Sequence, residues 1–277
     1  MIEVKDLTFS YGRRLSPVLE NFSLTLQANS IYGLLGKNGT GKSTLLYLMS
    51  GLLRPQSGRV CIEGQDVYRR RPEVMEEIFL VPEEFELPAV SMQSYVDLNR
   101  SFYPRFSQDV LDECLADFEL PARLHLGELS MGQKKKAFMS FALATNTKYL
   151  FMDEPTNGLD IPSKSEFRRV VSRHMTPERT LVISTHQARD IDMLLDHVAI
   201  INGTRLLLNA STADICARLR FEERPAGRPV DDALYVQPSI QGNSVVCPND
   251  GDDDTPLNLE LLFNAVLSRP ELAARLQ

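Results

Sequence analysis

Cysteine is scarce in this sequence, and the residues present, Cys61, Cys114, Cys216 and Cys247, are widely spaced. They form neither a CxxC pair nor the dense framework of a small secreted domain, so reduced thiols in a cytosolic setting are expected and no metal site is implied. Long apolar runs are missing too. Even residues 137–144 are interrupted by a serine, whereas about 18 apolar residues are needed to cross a bilayer. The first residues carry Glu3, Lys5 and Asp6 with no apolar stretch among them, so no signal peptide is expected there. Positive charge is not in excess: the formal net charge is -7 and the pI about 5.3, which argues against general nucleic-acid binding. The short runs Arg69-Arg70-Arg71 and Lys134-Lys135-Lys136 read as solvated helix or turn faces. Internal repeats are absent as well.

What the chain does have is 277 residues with an ordinary apolar share of 43%, enough for one large domain or two modest ones. Its organising stretch is Gly36-Lys37-Asn38-Gly39-Thr40-Gly41-Lys42-Ser43-Thr44, which fits the phosphate-cradling pattern G-x-x-x-x-G-K-[ST]. An apolar run at 31–35 precedes it and reads as a buried strand. Leu45, Leu46, Leu48 and Met49 follow and suit a short helix that stops at Gly51. Strand, glycine loop and helix N-terminus in this order aim backbone N–H groups and a helix dipole at one point, which suits a polyphosphate. Lys42 is then placed to pair with the β and γ phosphates, and the Ser43 hydroxyl to ligate Mg²⁺.

Around this stretch the pattern predicts antiparallel strands over 2–9 and about 22–26, then an edge strand at 58–62 with a Glu63-Gly64 turn, and a buried strand at 78–81. Residues 87–146 change to a helical texture. Ser107 is expected to cap a helix with Val110, Leu111, Cys114, Leu115 and Phe118 on its apolar face. Strands return at 149–152 and 181–184, with a helix between them bearing Phe167, Val170, Val171 and His174 on one face. That alternation implies a parallel sheet with ligands at the strand C-terminal ends. Asn202-Gly203 between 198–201 and 205–208 reads as a type I′ hairpin turn. Beyond about Phe221 the character shifts: Pro225, Gly227 and Pro229 suggest a linker, 234–237 and 244–247 short strands, and 249–254 an acidic loop. Leu259, Leu262, Phe263, Val266 and Leu267 form the stripe of a last amphipathic helix.

Asp153-Glu154 closes the strand at 149–152 with two carboxylates, which a parallel sheet brings beside the phosphate loop. Asp153 suits Mg²⁺, and Glu154 suits orientation of the water that attacks a phosphoryl group. Four further motifs then carry a resemblance. Leu129-Ser130-Met131-Gly132-Gln133 resembles the LSGGQ signature of ATP-binding cassette (ABC) ATPases. Asp153-Glu154 follows, then Asn157-Gly158-Leu159-Asp160 as the D-loop and Thr185-His186 as the switch histidine. The resemblance covers roughly residues 1–215, and it is the order of the motifs that makes it specific.

It implies an α/β P-loop NTPase fold of the ABC ATPase type, with a parallel sheet core, an N-terminal antiparallel β region and an inserted helical subdomain at about 87–146. Residues 216–277 would form a small C-terminal extension. ATP would be sandwiched between two subunits, with Tyr11 stacked on adenine and Gly36, Asn38, Gly39, Thr40 and Gly41 around the phosphates. Lys42, Ser43 and Thr44 would hold phosphates and Mg²⁺, and His186 the γ-phosphate. Ser130 and Gly132 would reach the nucleotide of the partner subunit, with Gln133 and Asp160 also among the nucleotide-binding positions. Single copies of each motif imply a dimer, expected to be of two identical chains.

Two positions depart from the family pattern. Met131 stands where glycine is usual, and Glu83 stands where a glutamine contacts Mg²⁺ and the transmembrane subunit. A carboxylate ~5 Å from a phosphate charge costs ~3 kcal/mol at an effective dielectric of ~20, which Mg²⁺ would offset. The resemblance implies the ATPase subunit of a transporter, on the cytoplasmic face of the membrane through a separate permease, with no nucleic-acid partner. The tail resembles that of exporter-type cassettes. A soluble cassette ATPase without a permease, or a weakly active regulatory cassette, is the alternative.

Overall fold

The computed structural model describes residues 1–12, 14–121, 123–249 and 255–276. Most of the acidic loop anticipated at 249–254 lies outside the described residues.

Alternating apolar residues make β1 (Ile2–Phe9) and β2 (Leu19–Leu26) an antiparallel pair with Ile2 opposite Leu26. After them come β3 (Ile31–Leu35), buried along its whole length, and α1 (Lys42–Met49). Next are β4 (Ser57–Ile62) and the two-residue β5 (Gln65–Asp66), which complete a sheet of order β2-β1-β4-β5. β4 is therefore an inner strand and not the edge that its sequence suggested. The turn to β5 has positive φ at both Glu63 (49°) and Gly64 (77°), the signature of a type I′ hairpin.

A short α2 (Pro72–Met75) leads into β6 (Ile78–Val81), and then the chain turns helical as anticipated. This segment holds α3 (Met92–Asn99), α4 (Gln108–Asp117) and α5 (Met131–Ala144). Ser107 caps α4 by accepting from the Val110 amide at 3.3 Å, and Leu111, Cys114 and Leu115 are buried on one stripe. Then follow β7 (Tyr149–Asp153), α6 (Ile161–His174), β8 (Thr180–Thr185), β9 (His197–Asn202) and β10 (Arg205–Ser211). At the β9–β10 turn only Gly203 has positive φ (59°). Asn202 pairs with Arg205 as the last strand residue, so the turn is not the type I′ form that Asn-Gly suggested.

The main sheet has the order β10-β9-β3-β8-β7-β6, parallel throughout except for β9 with β10. From β3 the chain crosses to the β6–β8 side and later returns to β9 on the other. This reversal of direction leaves a crevice at the C-terminal ends of β3, β7 and β8, where the loop at 36–41, Asp153-Glu154 and Thr185-His186 meet. Side chains divide by period two. Tyr32 and Leu34 of β3, Tyr149 and Phe151 of β7 and Val182 of β8 face α1 and the antiparallel sheet. Ile31, Leu35, Leu150, Met152, Leu181 and Ile183 face the helical layer.

The rest of the chain comprises α7 (Thr212–Arg218), β11 (Leu219–Pro225), β12 (Tyr235–Ser239), β13 (Gly242–Pro248), α8 (Leu259–Ser268) and α9 (Glu271–Ala274). The three strands form an antiparallel sheet of order β11-β13-β12. β11 ends at Pro225, the first of the residues that suggested a linker. It pairs along its length with β13, and Leu219 and Phe221 are buried. Phe221, Val246, Leu262 and Val266 join Ile191, Leu208 and Ile215 in one apolar cluster, so the tail packs onto the main core. Among the described residues no helix is long and apolar enough to cross a membrane.

Candidate functional site

The glycine loop has the shape its sequence demands. Gly39 (φ 79°) and Gly41 (φ 91°) are left-handed, and Gly41 is the N-cap of α1. At Gly36 a Cβ would stand 2.5 Å from Thr40 Oγ1 and 2.9 Å from the Ile201 carbonyl oxygen, so only glycine fits the loop's closure. Thr40 Oγ1 donates to the Lys37 carbonyl at 2.8 Å, which draws the loop into a ring. Lys42 folds back across that ring. Its Nζ donates to the carbonyls of Gly36 (2.9 Å) and Lys37 (3.3 Å) and lies 3.7 Å from Glu154 Oε1. Burial lowers the Lys42 pKa, and the charges of Glu154 and Asp153 oppose that.

β7 and β8 supply the facing wall. Asp153 is buried and accepts from Ser184 Oγ; burial raises its pKa, while hydrogen bonds from Ser184 and Ser43 favour the carboxylate. One residue on, the Glu154 amide donates to the Ser184 carbonyl at 3.0 Å, extending the ladder, and the backbone then turns left-handed at φ 43°. A glutamate in that region costs on the order of 1 kcal/mol, so the surroundings hold it there. The Glu154 carboxylate accepts from Thr185 Oγ1 at 3.0 Å and lies 2.8 Å from His186 Nδ1, which leaves imidazole, carboxylate and the Lys42 ammonium in contact.

These groups line a cavity of about 490 Å³ with Tyr11, Val18, Asn38, Gly39, Gly41, Ser43, Thr44, Glu83 and Asn157. Tyr11 is exposed at its rim, edge-on to Phe9, with its hydroxyl 3.0 Å from Thr44 Oγ1. Glu83 lines the cavity, and its Oε1 accepts from Asn157 Nδ2 at 2.8 Å. Ser43, Asp153 and Glu83 offer oxygen donors, the set that Mg²⁺ prefers. Among the described residues no group of three or more His, Cys, Asp or Glu could hold a metal; Mg²⁺ commonly fills its shell with waters and substrate phosphates beside one or two carboxylates.

Ser130, Gly132, Gln133 and Asp160 are not in this cavity. Ser130 and Gln133 form a capping box at the start of α5, with the Gln133 amide donating to Ser130 Oγ (3.3 Å) and the Ser130 amide to Gln133 Oε1 (3.0 Å). Asp160 caps α6 by accepting from the Ser163 amide at 3.0 Å, and hydrogen bonds from the Ser163 side chain and then its amide lower the Asp160 pKa. Beside them Met131 is 62% and Ile161 83% exposed, so both helix starts present an apolar side chain to solvent.

The lysine run corrects the sequence reading. Lys135 is 6% exposed, with its Nζ donating to the carbonyls of Glu154 (3.1 Å) and Asn157 (2.7 Å). Lys136 pairs with Glu166 at 2.6 Å. The arginine run is partly engaged as well: Arg70 donates to the Gly51 carbonyl at 2.8 Å. Lys135 precedes buried Met139 and Ala142 by four and seven positions, so helical periodicity already placed it on the inward stripe.

Comparison with known proteins gives the same picture. The family model for ABC transporters matches residues 19–157. The bacitracin transport ATP-binding protein of Bacillus licheniformis is 31% identical over 212 residues, covering 75% of this chain and 68% of that protein. A fluoroquinolones export ATP-binding protein of Mycobacterium tuberculosis is 30% identical over 246 residues, covering 85% of this chain and 80% of its own. Among solved structures, an ATP-binding subunit of an ABC transporter superposes with a TM-score of 0.70 at 24% identity, covering 78% of this chain and 91% of that one. A dimeric ATP-binding cassette in a post-hydrolysis state with ADP and Pi gives a TM-score of 0.67 at 22% identity, covering 76% and 98%.

Proposed function

The chain belongs to the ABC transporter family as an ATP-binding, ATP-hydrolysing subunit that powers a permease, and from that premise we propose how its residues divide the work. Residues 1–215 act as the ATPase unit and 216–277 as an extension. Two copies close on ATP, each completing the other's site, and a separate membrane protein at the cytoplasmic face is driven by that closure.

The observation that carries this reading is the contact of Glu154 with Lys42 and His186 at the mouth of a glycine loop that ends in a helix N-terminus. Lys42 would exchange its loop carbonyls for the β and γ phosphates, to which the α1 amides also point. Glu154 would orient the attacking water and take its proton at Oε1, and His186 would hold that carboxylate in place. Thr185, donating to Oε2, fixes the other carboxylate oxygen. Tyr11 at the rim would carry the adenine. Mg²⁺, held by Ser43 with Asp153 and Glu83 behind it, would supply charge neutralisation on the phosphates.

The partner copy is called for by what the cavity lacks. Ser130, Gly132, Gln133 and Asp160 lie outside it, which supports the reading that they serve a nucleotide bound by another copy. Export is the direction we favour, because the match to the fluoroquinolones export protein covers 85% of the chain and so reaches past residue 215 into the tail.

The test is turnover of Mg-ATP by the purified chain and its Glu154→Gln variant. The variant should bind ATP as tightly as the parent, lose at least about 100-fold in kcat, and accumulate as an ATP-bound dimer in size-exclusion chromatography. Retained turnover in Glu154→Gln, or a parent chain that ignores ATP, would end this reading.

A further inference from the structure

Glu154 sits in a left-handed backbone conformation that is unfavourable for a glutamate, and one of the two donors to its carbonyl comes from a different element. Lys135, in the second turn of α5, buries its ammonium beneath the Asp153-Glu154 strand end. The Glu154 carbonyl accepts twice, from the Asn157 amide at 3.1 Å and from Lys135 Nζ at 3.1 Å. Lys135 Nζ also donates to the Asn157 carbonyl at 2.7 Å. One ammonium thus grips the chain on both sides of Pro155-Thr156. Asn157 in turn donates its side-chain amide to Glu83, so the grip extends to a second carboxylate of the cavity.

We propose that Lys135 is a positioning residue for hydrolysis: it fixes the left-handed Glu154 peptide and the turn through Asn157, and so sets where the Glu154 carboxylate points. The proposal rests on the role given to Glu154 above. Its acceptors are neutral main-chain carbonyls, so the lysine charge is held in place without being neutralised by a carboxylate. Burial lowers the Lys135 pKa, and the charges of Glu83, Glu154 and Asp153 oppose that. An apolar residue of the same length would fill the space but could not donate. The Glu154 carbonyl would then keep only the Asn157 amide, and the strained peptide would be free to relax.

Because Lys135 is not itself a lining residue of the proposed nucleotide cavity and reaches it only through the main chain of Glu154 and Asn157, its removal should act chiefly on the rate of the chemical step and little on ATP affinity. The experiment measures kcat and KM for Mg-ATP, ATP binding by calorimetry and thermal unfolding on the full chain and on Lys135→Met, Lys135→Gln and Lys135→Arg. The expected result is at least a tenfold fall in kcat per folded molecule for Met with KM changed less than twofold. Gln, which donates one hydrogen bond towards either carbonyl, should fall between Met and the parent, and Arg should recover most of the rate. Should Lys135→Met unfold, the order parent, Arg, Gln in kcat carries the test alone. An unchanged kcat in Met or Gln, or an effect confined to KM, overturns the proposal. A parent chain without ATPase activity would instead overturn the functional reading beneath it.

Discussion

Arg179 is 1% exposed and donates to neutral acceptors. Nε donates to the Thr147 carbonyl at 3.2 Å and Nη1 to the His174 carbonyl at 3.1 Å. Nη2 donates to the Leu143 carbonyl at 2.9 Å and to Asn146 Oδ1 at 3.2 Å. Leu143 and His174 lie in the last turns of α5 and α6, where the carbonyls carry the negative ends of the helix dipoles. Burial lowers the guanidinium to about 10, still protonated at neutral pH. Arg179→Ala removes the donors and leaves the acceptors inside. An acceptor stranded in this way costs about 1–3 kcal/mol, and the Leu143 carbonyl is partly spared because the Asn146 amide also donates to it. Taking the low end of that range for three acceptors and part of it for Leu143 gives a loss of about 3–4 kcal/mol. For a chain of this size it would lower Tm by about 6–16 °C. Urea unfolding and differential scanning calorimetry of the parent, Arg179→Ala and Arg179→Lys measure it, and lysine should recover only part because it lacks the planar fork. A loss below about 1 kcal/mol in Arg179→Ala would refute the reasoning.

Two further outcomes follow from charges near the site and beneath it. Glu83→Gln removes a carboxylate worth about 3 kcal/mol of repulsion against a nearby phosphate, so at limiting Mg²⁺ the variant should retain a larger fraction of its maximal rate than the parent. An unchanged Mg²⁺ titration of turnover sinks that idea. His174 is buried with Nε2 3.8 Å from Asp117 and 4.0 Å from Glu113, and Arg173 and Arg179 also act on it. Burial depresses its pKa below the ordinary 6.5, so on acidification the unfolded chain takes up the proton first and stability falls as pH drops through 6.5. In His174→Gln the unfolding free energy should decline less steeply between about pH 6.5 and 5, and parallel curves would show that burial of the imidazole is not the cause.

What could be read in advance was what local chemistry decides. The glycine loop needs glycine at Gly36, Gly39 and Gly41 for reasons internal to the loop, and the strand, loop and helix order followed from apolar runs on either side of it. Glu83 emerged in the cavity because a buried strand ending at Val81 fixes what comes next. The misreadings arose where a residue answers to something far away in sequence. Lys135 looks solvated beside Lys134 and Lys136, yet its partners are the carbonyls of Glu154 and Asn157 on another strand end. β11 looks like the start of a linker because Pro225 ends it and Gly227 and Pro229 follow, and it becomes a strand only because β13 lies beside it. β4 looks like an edge until a two-residue strand covers it.

The placement of α5 joins the two halves of the proposed mechanism. Its first turn carries Ser130, Met131, Gly132 and Gln133, whose side chains meet only local partners or solvent in the single chain. Ser130 and Gln133 are engaged with each other's amides, Gly132 has no side chain and Met131 points outward. A phosphate arriving from a second copy would therefore meet main-chain N–H groups and a hydroxyl that is only loosely committed, at 3.3 Å from its amide donor. One turn later the same helix places Lys135 on the backbone of Glu154 and Asn157. A displacement of the helix start by a partner's nucleotide would be transmitted along a rigid segment shorter than two turns to the carboxylate that serves the chain's own nucleotide. Two sites related by dimer symmetry would then influence each other through α5 in both chains, with no need for the nucleotides to touch.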